Sequence, residues 1–409
     1  MRCVRLFLCL LPAFTLPVLF SACARHEVKP AERFVTVFVS SGLTPEGRAK
    51  MAKLVGETKA RTPVLWIDGG ISADTRGPLR FSDGELLTDL PSAAGCDAVL
   101  LTPEWLGFSI PRLKLLVDRA RLRVLCANLE DSLGMPVAHP WMTRNAGGIS
   151  FGITALYTDT GDWRRYQQGL RLVSPEYAAR KISGLIARNT DFRLLILPGG
   201  TSGQFSGYDL TLTAEPGRVL RYDLVFLDSR LSDFRKTGVD LNSLMPEPPV
   251  QQRIDSLLAE YETRAEAPVI ESRVKIPPRV LRKAVIDGVM DLRLAEVIVY
   301  DTLRLVRDTI FPGMITLRRL ADVLTEPGRL VLVQLEGSEI RQLASQPGLK
   351  IETRKNLPGG RLMARRKYRV MMPPSLIEAH PEIYTRGFEF TPLPLYQYAA
   401  DILQAQGKR

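Results

Sequence analysis

Three carboxylates follow strand-like apolar runs: Asp68 after Val64–Ile67, Glu104 after Ala98–Leu101, and Asp228 after Tyr222–Leu227. Ligands of open α/β sheets gather at the carboxyl ends of strands, and three such oxygens can hold one Mg²⁺ or Ca²⁺. The same carboxylates can instead cap helices or pair with nearby arginines, and that is the reading we favour. Histidine is scarce, with only His26, His139 and His380 in the chain. His139, between Ala138 and Pro140, reads as a loop or cleft-wall residue. The Gly-rich turn Leu197-Pro198-Gly199-Gly200-Thr201-Ser202-Gly203 also follows a strand-like run. It is either a plain tight turn or a loop whose amides cradle an anion. A basic run holds Arg361, Arg365, Arg366, Lys367 and Arg369. Strand alternation places Arg365, Lys367 and Arg369 on one face. They read as a charged edge strand that resists aggregation, or as a patch for an anionic partner.

The elements that must position these groups alternate. Strands are expected at Phe34–Val39, Val64–Ile67, Ala98–Leu101, Val124–Ala127, Ile149–Leu156, Leu194–Leu197 and Tyr222–Leu227, with helices at 44–59, 86–94, 110–120 and 175–188. Thr44-Pro45-Glu46 is a helix start, with a capping hydroxyl, a preset φ and an acid in the first turn. This rhythm means α/β with a largely parallel sheet. Met245-Pro246-Glu247-Pro248-Pro249 is the densest proline cluster, and a helix-like stretch follows it with Ile254, Leu257, Leu258 and Tyr261 on one face. We read a domain over 34–245, a Pro-rich linker and bridging helix over 246–271, and a second mixed domain over 272–409. The second domain is expected to run helix 278–291, strand 295–301, helix 317–323, strand 330–335, helix 337–344 and strand 368–372.

Of the 409 residues, 45% are hydrophobic and 24% charged, which excludes wholesale disorder. The first 23 residues join a positive start (Arg2, Arg5) to the apolar run Leu6–Phe20, broken by Pro12 and Pro17. That run is short for a membrane span and reads as a secretory signal. Its ending, Phe20-Ser21-Ala22-Cys23, resembles a bacterial lipobox, which implies acylation of Cys23 and a tether over 24–33. Ala24 in place of Asp implies an outer-membrane destination, facing the periplasm or the cell surface. A plain secreted chain and an uncleaved anchor are the alternatives. Removing Arg2 and Arg5 takes the net charge from +11 to +9, compatible with an anionic partner without naming one. Cys96 and Cys126 then remain. One opens a strand and the other closes the next, so parallel pairing sets them at opposite ends, too far apart for a bridge. We expect two buried free thiols.

The order of segments resembles the bacterial 5′-nucleotidase family. VLWIDGGISADT (64–75) is similar to its strand ending in Asp-x-Gly-Asp, GCDAVLLTPEW (95–105) to the segment ending in Gly-Asn-His-Glu, and RVLCANLED (123–131) to the strand with Ser-Ala-Asn. FPGMITLRRLADVLTEPGRLVLVQLEGSEIRQLA (311–344) resembles the family's Gly-x-Ile-Thr, helix, and strand closing in Thr-Gly-x-x-Ile. The resemblance implies a metallophosphoesterase-like α/β/β/α sandwich followed by a smaller mixed α/β 5′-nucleotidase C-terminal-like domain. It also implies hydrolysis of phosphoesters by two clamped metal ions.

The departures bear on that chemistry. The family's first Asp-x-His falls on Gly42-Leu43-Thr44, its bridging Asp on Ile71, its Asn-His on Pro103-Glu104, its next His near Gly199, and its closing His-x-His near Ser229-Arg230-Leu231. About four histidines would be needed, and only His139 lies within 34–245. Arg304 matches the family's substrate arginine, without its Asn and Gly neighbours. Tyr384, Phe388 and Phe390 are the nearest stand-ins for its stacking aromatics, and core packing is the plainer role for them. Pro-Gly-Gly after a strand also occurs in glutamine-amidotransferase-like domains. Cys96 and Cys126 lack the nucleophile's Gly-x-Cys-x-Gly setting.

The expectation is therefore a lipid-anchored pseudoenzyme that binds or scaffolds at the cell envelope. No catalytic residue is assigned and no cofactor expected, with a single divalent cation at Asp68, Glu104 and Asp228 as the weak exception. Partners would be the membrane through Cys23, an envelope protein, and a nucleotide or other anion, but no nucleic acid. The strand ends near Gly42, Ile71, Pro103 and Gly199 would hold no ion and be partly filled by Trp66 or Trp105. The alternative is an active phosphohydrolase with a rebuilt, mononuclear site.

Overall fold

The computed structural model describes residues 31–70, 80–158, 161–199, 205–302, 305–326, 328–354 and 361–407. Cys23, His26, Ile71 and Arg304 lie outside them. The first sheet is built on β1 (Glu32–Ser40), whose Val35, Val37 and Val39 point to one face while Phe38 points to the other. Three β-branched residues on one face suit a pleated, buried strand, and each buried valine is worth roughly 1.5–3 kcal/mol. β2 (Val64–Asp68), β3 (Ala98–Leu100) and β4 (Arg123–Leu125) follow in parallel. On the other side of β1 lies antiparallel β11 (Val219–Leu227), and then the edge strand β12 (Arg230–Val239).

The second sheet is ordered β10-β9-β7-β6, with β6 (Trp141–Ala146), β7 (Ile149–Ala155), β9 (Phe192–Pro198) and β10 (Leu210–Ala214). The two sheets share a core of Val35, Val37, Leu65, Ile67, Phe151, Phe192 and Phe226. Outside the first sheet pack α1 (Pro45–Lys59), α2 (Leu86–Ala94) and α3 (Ile110–Arg119). Outside the second packs α4 (Pro175–Ile186). This is the α/β/β/α sandwich. β5 (Leu129–Asp131) and β8 (Leu170–Leu172) make a small ribbon beside it. The start of α1 is as read: the Thr44 hydroxyl accepts from Gly47 N–H, with Pro45 in the first turn. β3 and β4 are parallel neighbours, and Cys96 and Cys126 are buried and free.

The bridging helix α5 (Pro248–Ala265) packs Ile254 and Tyr261 into the core under α1 and α2, and its last residue, Ala265, into the next core. A ribbon of β13 (Pro268–Ser272) with β15 (Gly313–Thr316) follows. The second domain's main sheet is ordered β17-β14-β18-β16-β19. Its strands are β14 (Val297–Asp301), β16 (Arg329–Glu336), β17 (Leu349–Thr353), β18 (Lys367–Met372) and β19 (Glu389–Pro394). Helices α6 (Pro278–Asp291), α7 (Leu317–Val323), α8 (Gly337–Ala344), α9 (Pro374–Glu378), α10 (Pro381–Tyr384) and α11 (Leu395–Gly407) complete it.

Two expectations are corrected here. The basic strand is not an edge, because β18 is paired on both sides, to β14 and to β16. Its even-numbered Tyr368, Val370 and Met372 enter a core, so its charges sit at one end of an interior strand. Asp228 does not sit among the other strand ends. β11 runs antiparallel to β1, so its carboxyl end points the opposite way.

The domains interlock at two places. Trp163, from the first domain, stacks among Tyr384, Phe388 and Phe390 of the second, with its ring centre 5.0 Å from that of Phe388. Phe81 enters the core of the second domain against Tyr396. Beside it Asp83, at φ 48°, is bridged to Arg112 of its own domain and to buried Arg329 of the other. The three aromatics proposed as packing residues thus do pack, against an element that the sequence had not linked to them.

Candidate functional site

The carboxyl ends of β1 and β2 lie level, with Ser40 beside Asp68. Asp68 is completely buried there, and its partner comes from α1. Arg48, also fully buried, sends its guanidinium onto the Asp68 carboxylate. The same guanidinium donates to the carbonyl of Leu43 at 2.6 Å and that of Gly70 at 3.0 Å. The Ser40 hydroxyl donates to the other Asp68 oxygen at 3.3 Å and accepts from the Trp66 indole at 2.9 Å. Complete burial pushes the Asp68 carboxyl above its ordinary range, against the opposing pull of Arg48.

Backbone closes the surroundings. Gly42 N–H donates to the Gly70 carbonyl at 3.1 Å, Gly217 N–H to Ser41 at 3.0 Å, and Gly199 N–H to Ala214 at 2.8 Å. A Cβ on Gly69 would come within 2.8 Å of the Ala214 Cβ and 2.9 Å of the Ser40 carbonyl. Gly70, at φ 114°, lies so close to Thr102 that no side chain fits. Trp66, like Trp105, belongs to the helix-side core and reaches the strand end only through its indole bond to Ser40, and the group that occupies the strand ends is Arg48.

Three carboxylates were candidates for one cation, and the structure separates them. Asp68 is committed to Arg48. Glu104 lies exposed in the 3₁₀ turn Pro103–Gly107 and makes no ion pair among the described residues. Asp228 forms, with Ser229, the two-residue turn between β11 and β12, both at positive φ, and its carboxylate accepts from Ala31 N–H at 3.2 Å. β1–β11 pairing runs from Ser40↔Val219 to Glu32↔Leu227, so Asp228 is at the other end of the sheet from Asp68. At roughly 3.3 Å per residue that is about 26 Å or more. Ser229-Arg230-Leu231, aligned above with a metal motif, shares that far hairpin.

The other groups have structural partners. His139 faces Arg123, with ring nitrogens 3.2 and 3.3 Å from its guanidinium, and burial followed by that charge pushes the imidazole below its ordinary value. Asn128 is buried and exchanges two hydrogen bonds with the Tyr157 backbone, both 2.7 Å. No group of three or more His, Cys, Asp or Glu able to hold a metal occurs among the described residues. The residues present do not fit a two-metal centre, because a buried guanidinium holds the one strand-end carboxylate that a cation would need.

Another place that could receive a ligand, one of several cavities of similar size, lies between the domains. A cavity of about 450 Å³ is lined by Ser109, Gln167, Gln168, Leu332, Arg369 and Phe390, among others. Arg369 bonds Glu389 across its rim at 2.8 Å. Of the basic run, Arg366 pairs with Glu296, and Arg365 precedes the strand, so only Lys367 and Arg369 share a β18 face.

No protein-family model matches the sequence. No curated protein matches it either. Solved structures do match. Haemophilus influenzae NAD nucleotidase superposes with a TM-score of 0.51 at 13% identity, over 92% of this chain and 97% of that one. A Staphylococcus aureus protein described as a 5′-nucleotidase gives 0.51 at 11% identity, over 90% and 96%. A 5′-nucleotidase precursor from Thermus thermophilus gives 0.48 at 16% identity, over 91% and 96%. At these identities the likeness is one of architecture, and both domains of the first two structures are covered. The chain is built on the two-domain fold of the 5′-nucleotidases and related phosphoesterases.

Proposed function

We propose that this chain is a non-hydrolytic member of that fold, exported, anchored by lipid on Cys23, and used for binding or scaffolding at the cell envelope. One observation carries the non-hydrolytic part. Arg48 places a fixed positive charge on Asp68, at the end of the sheet where ligands of such folds gather. A divalent ion there would meet like charge and a carboxylate already bonded through both oxygens. The interdomain cavity is the place offered to a small ligand, and the exposed Arg365 and Lys367 are candidate contacts for an anionic partner.

Metal content after loading with Mn²⁺, Zn²⁺ and Mg²⁺, measured beside hydrolysis of AMP and a UDP-sugar, tests the reading. The expected result is no stoichiometric metal and no turnover. Two ions per chain with turnover would overturn it. Labelling with radioactive palmitate in cells, lost in Cys23→Ser, tests the anchor separately.

A further inference from the structure

We infer that the β13–β15 ribbon of the second domain is a surface that rests on anionic lipid. Ser272 pairs with Gly313, and Ile276 bridges Ile310, so residues 273–275 and 311–312 are held as facing loops. Ile276 and Ile310 exchange two backbone hydrogen bonds, of 2.9 and 3.0 Å, and the Ser272 hydroxyl donates to the Val274 carbonyl at 2.8 Å. Ile310 and Ile315 are fully buried on the inner side. On the outer side Val274 is 67% exposed, Phe311 57% and Met314 49%. Scattered exposed apolar residues are ordinary, but three on one braced ribbon form a patch.

The charge around this patch selects the occupant. Arg273, Lys275 and Arg279 are exposed, and none forms an ion pair among the described residues. Lys275 lies with its ammonium 5.4 Å from the centre of the Phe311 ring. The nearby acids are Glu271, exposed and opposite Met314, and Asp308, which Arg307 neutralises at 2.8 Å. Aromatic and thioether side chains beside exposed Lys and Arg that form no ion pair match a headgroup boundary, where the apolar tips enter and the cations meet lipid phosphates. A protein-binding core would instead be depleted of lysine. The surface is independent of lipid on Cys23 and would orient the second domain against whichever membrane the chain faces.

The test uses the chain from Ala24 to Arg409 without acylation, which keeps every described residue. Co-sedimentation is compared on vesicles of phosphatidylcholine alone and with about one-third phosphatidylglycerol. Binding is expected only to the anionic vesicles and should fade with salt. Arg273→Glu with Lys275→Glu should weaken it at least about 25-fold, since each cation near such a surface is worth about fivefold. Phe311→Ser with Met314→Ser should weaken it at unchanged charge. All four side chains are exposed, and thermal melts matching the parent confirm that the variants fold. Binding that ignores phosphatidylglycerol, or that survives both double variants, overturns the inference. Vesicle indifference with loss of a cross-linked protein in the same variants also overturns it, in favour of a protein interface. None of these outcomes bears on palmitate labelling of Cys23.

Discussion

Replacing Arg48 by Met keeps most of the side-chain volume and removes the charge, leaving the Asp68 carboxylate buried without its main partner. Breaking one side of a buried ion pair costs about 3–5 kcal/mol, a large part of the 5–15 kcal/mol that typically holds a domain together. Asp68→Leu strands the guanidinium instead and should cost a similar amount. The two changes together remove both charges. The Gly70 carbonyl still accepts from Gly42 N–H, so the double variant should be more stable than either single one. A coupling of at least about 2 kcal/mol is expected. Urea unfolding followed by tryptophan fluorescence is the assay, because Trp66 and Trp105 are buried in the helix-side core of the first domain and report its unfolding. Costs that simply add, or an Arg48→Met variant within about 1 kcal/mol of the parent, would show that Arg48 is not the charge around which these strand ends are built.

Burial pushes the Cys126 thiol up to about 11 and the Cys96 thiol well above its ordinary value. The chain from Ala24 should therefore give no thiol titre with Ellman's reagent when native and two per chain in urea; a reactive native thiol would contradict this. Trp163→Ala removes the ring seated among Tyr384, Phe388 and Phe390 and should cost about 3–5 kcal/mol. Calorimetry should then resolve two transitions where the parent shows one, whereas a lone unshifted peak would refute interdomain coupling through that ring. Burial raises the Glu85 carboxyl, but hydrogen bonding and charge from Arg264, with help from Arg112 and Tyr261, outweigh it and leave it below its ordinary 4.5. A lowered folded pKa means stabilisation that is present above 4.5 and lost as pH falls through the folded value. Glu85→Gln should flatten that acid limb of the stability curve, and an unchanged limb would refute the assignment.

The first domain's β1, β2, β7, β9 and β11 and its helices α1 to α4 were legible because their apolar faces alternate or repeat, whereas β5, β6, β8 and β10 were not read. Glu32–Ser40 and Leu86–Ala94 differ from the reading by no more than two residues at either end. Pairing of Asp68 with an arginine was the favoured reading, and what was not named is the partner, Arg48, although α1 carried a signal for it. Arg48 shares the inward stripe of Met51, Val55 and Thr58, and a charge in a core register calls for a buried partner. The far hairpin was missed because Asp228-Ser229 replaces the usual Asn-Gly of a two-residue turn. β12 was missed because its residues are exposed on both faces, leaving no periodic apolar pattern. Trp163 and its three partners lie more than 200 residues apart in sequence, and no local pattern encodes such a contact.

Phe81 and Trp163 also have a consequence for the order in which the chain is made. Both are completed by residues that emerge more than 200 positions later, Tyr396 for one and Tyr384 to Phe390 for the other. Until those residues appear, the first half carries two bare aromatic surfaces with nothing to cover them. A nascent chain arrested near Met245 would display both. The segment from Glu382 to Tyr398 thus acts as a seal on both surfaces, and a nascent chain is exposed at them until it arrives.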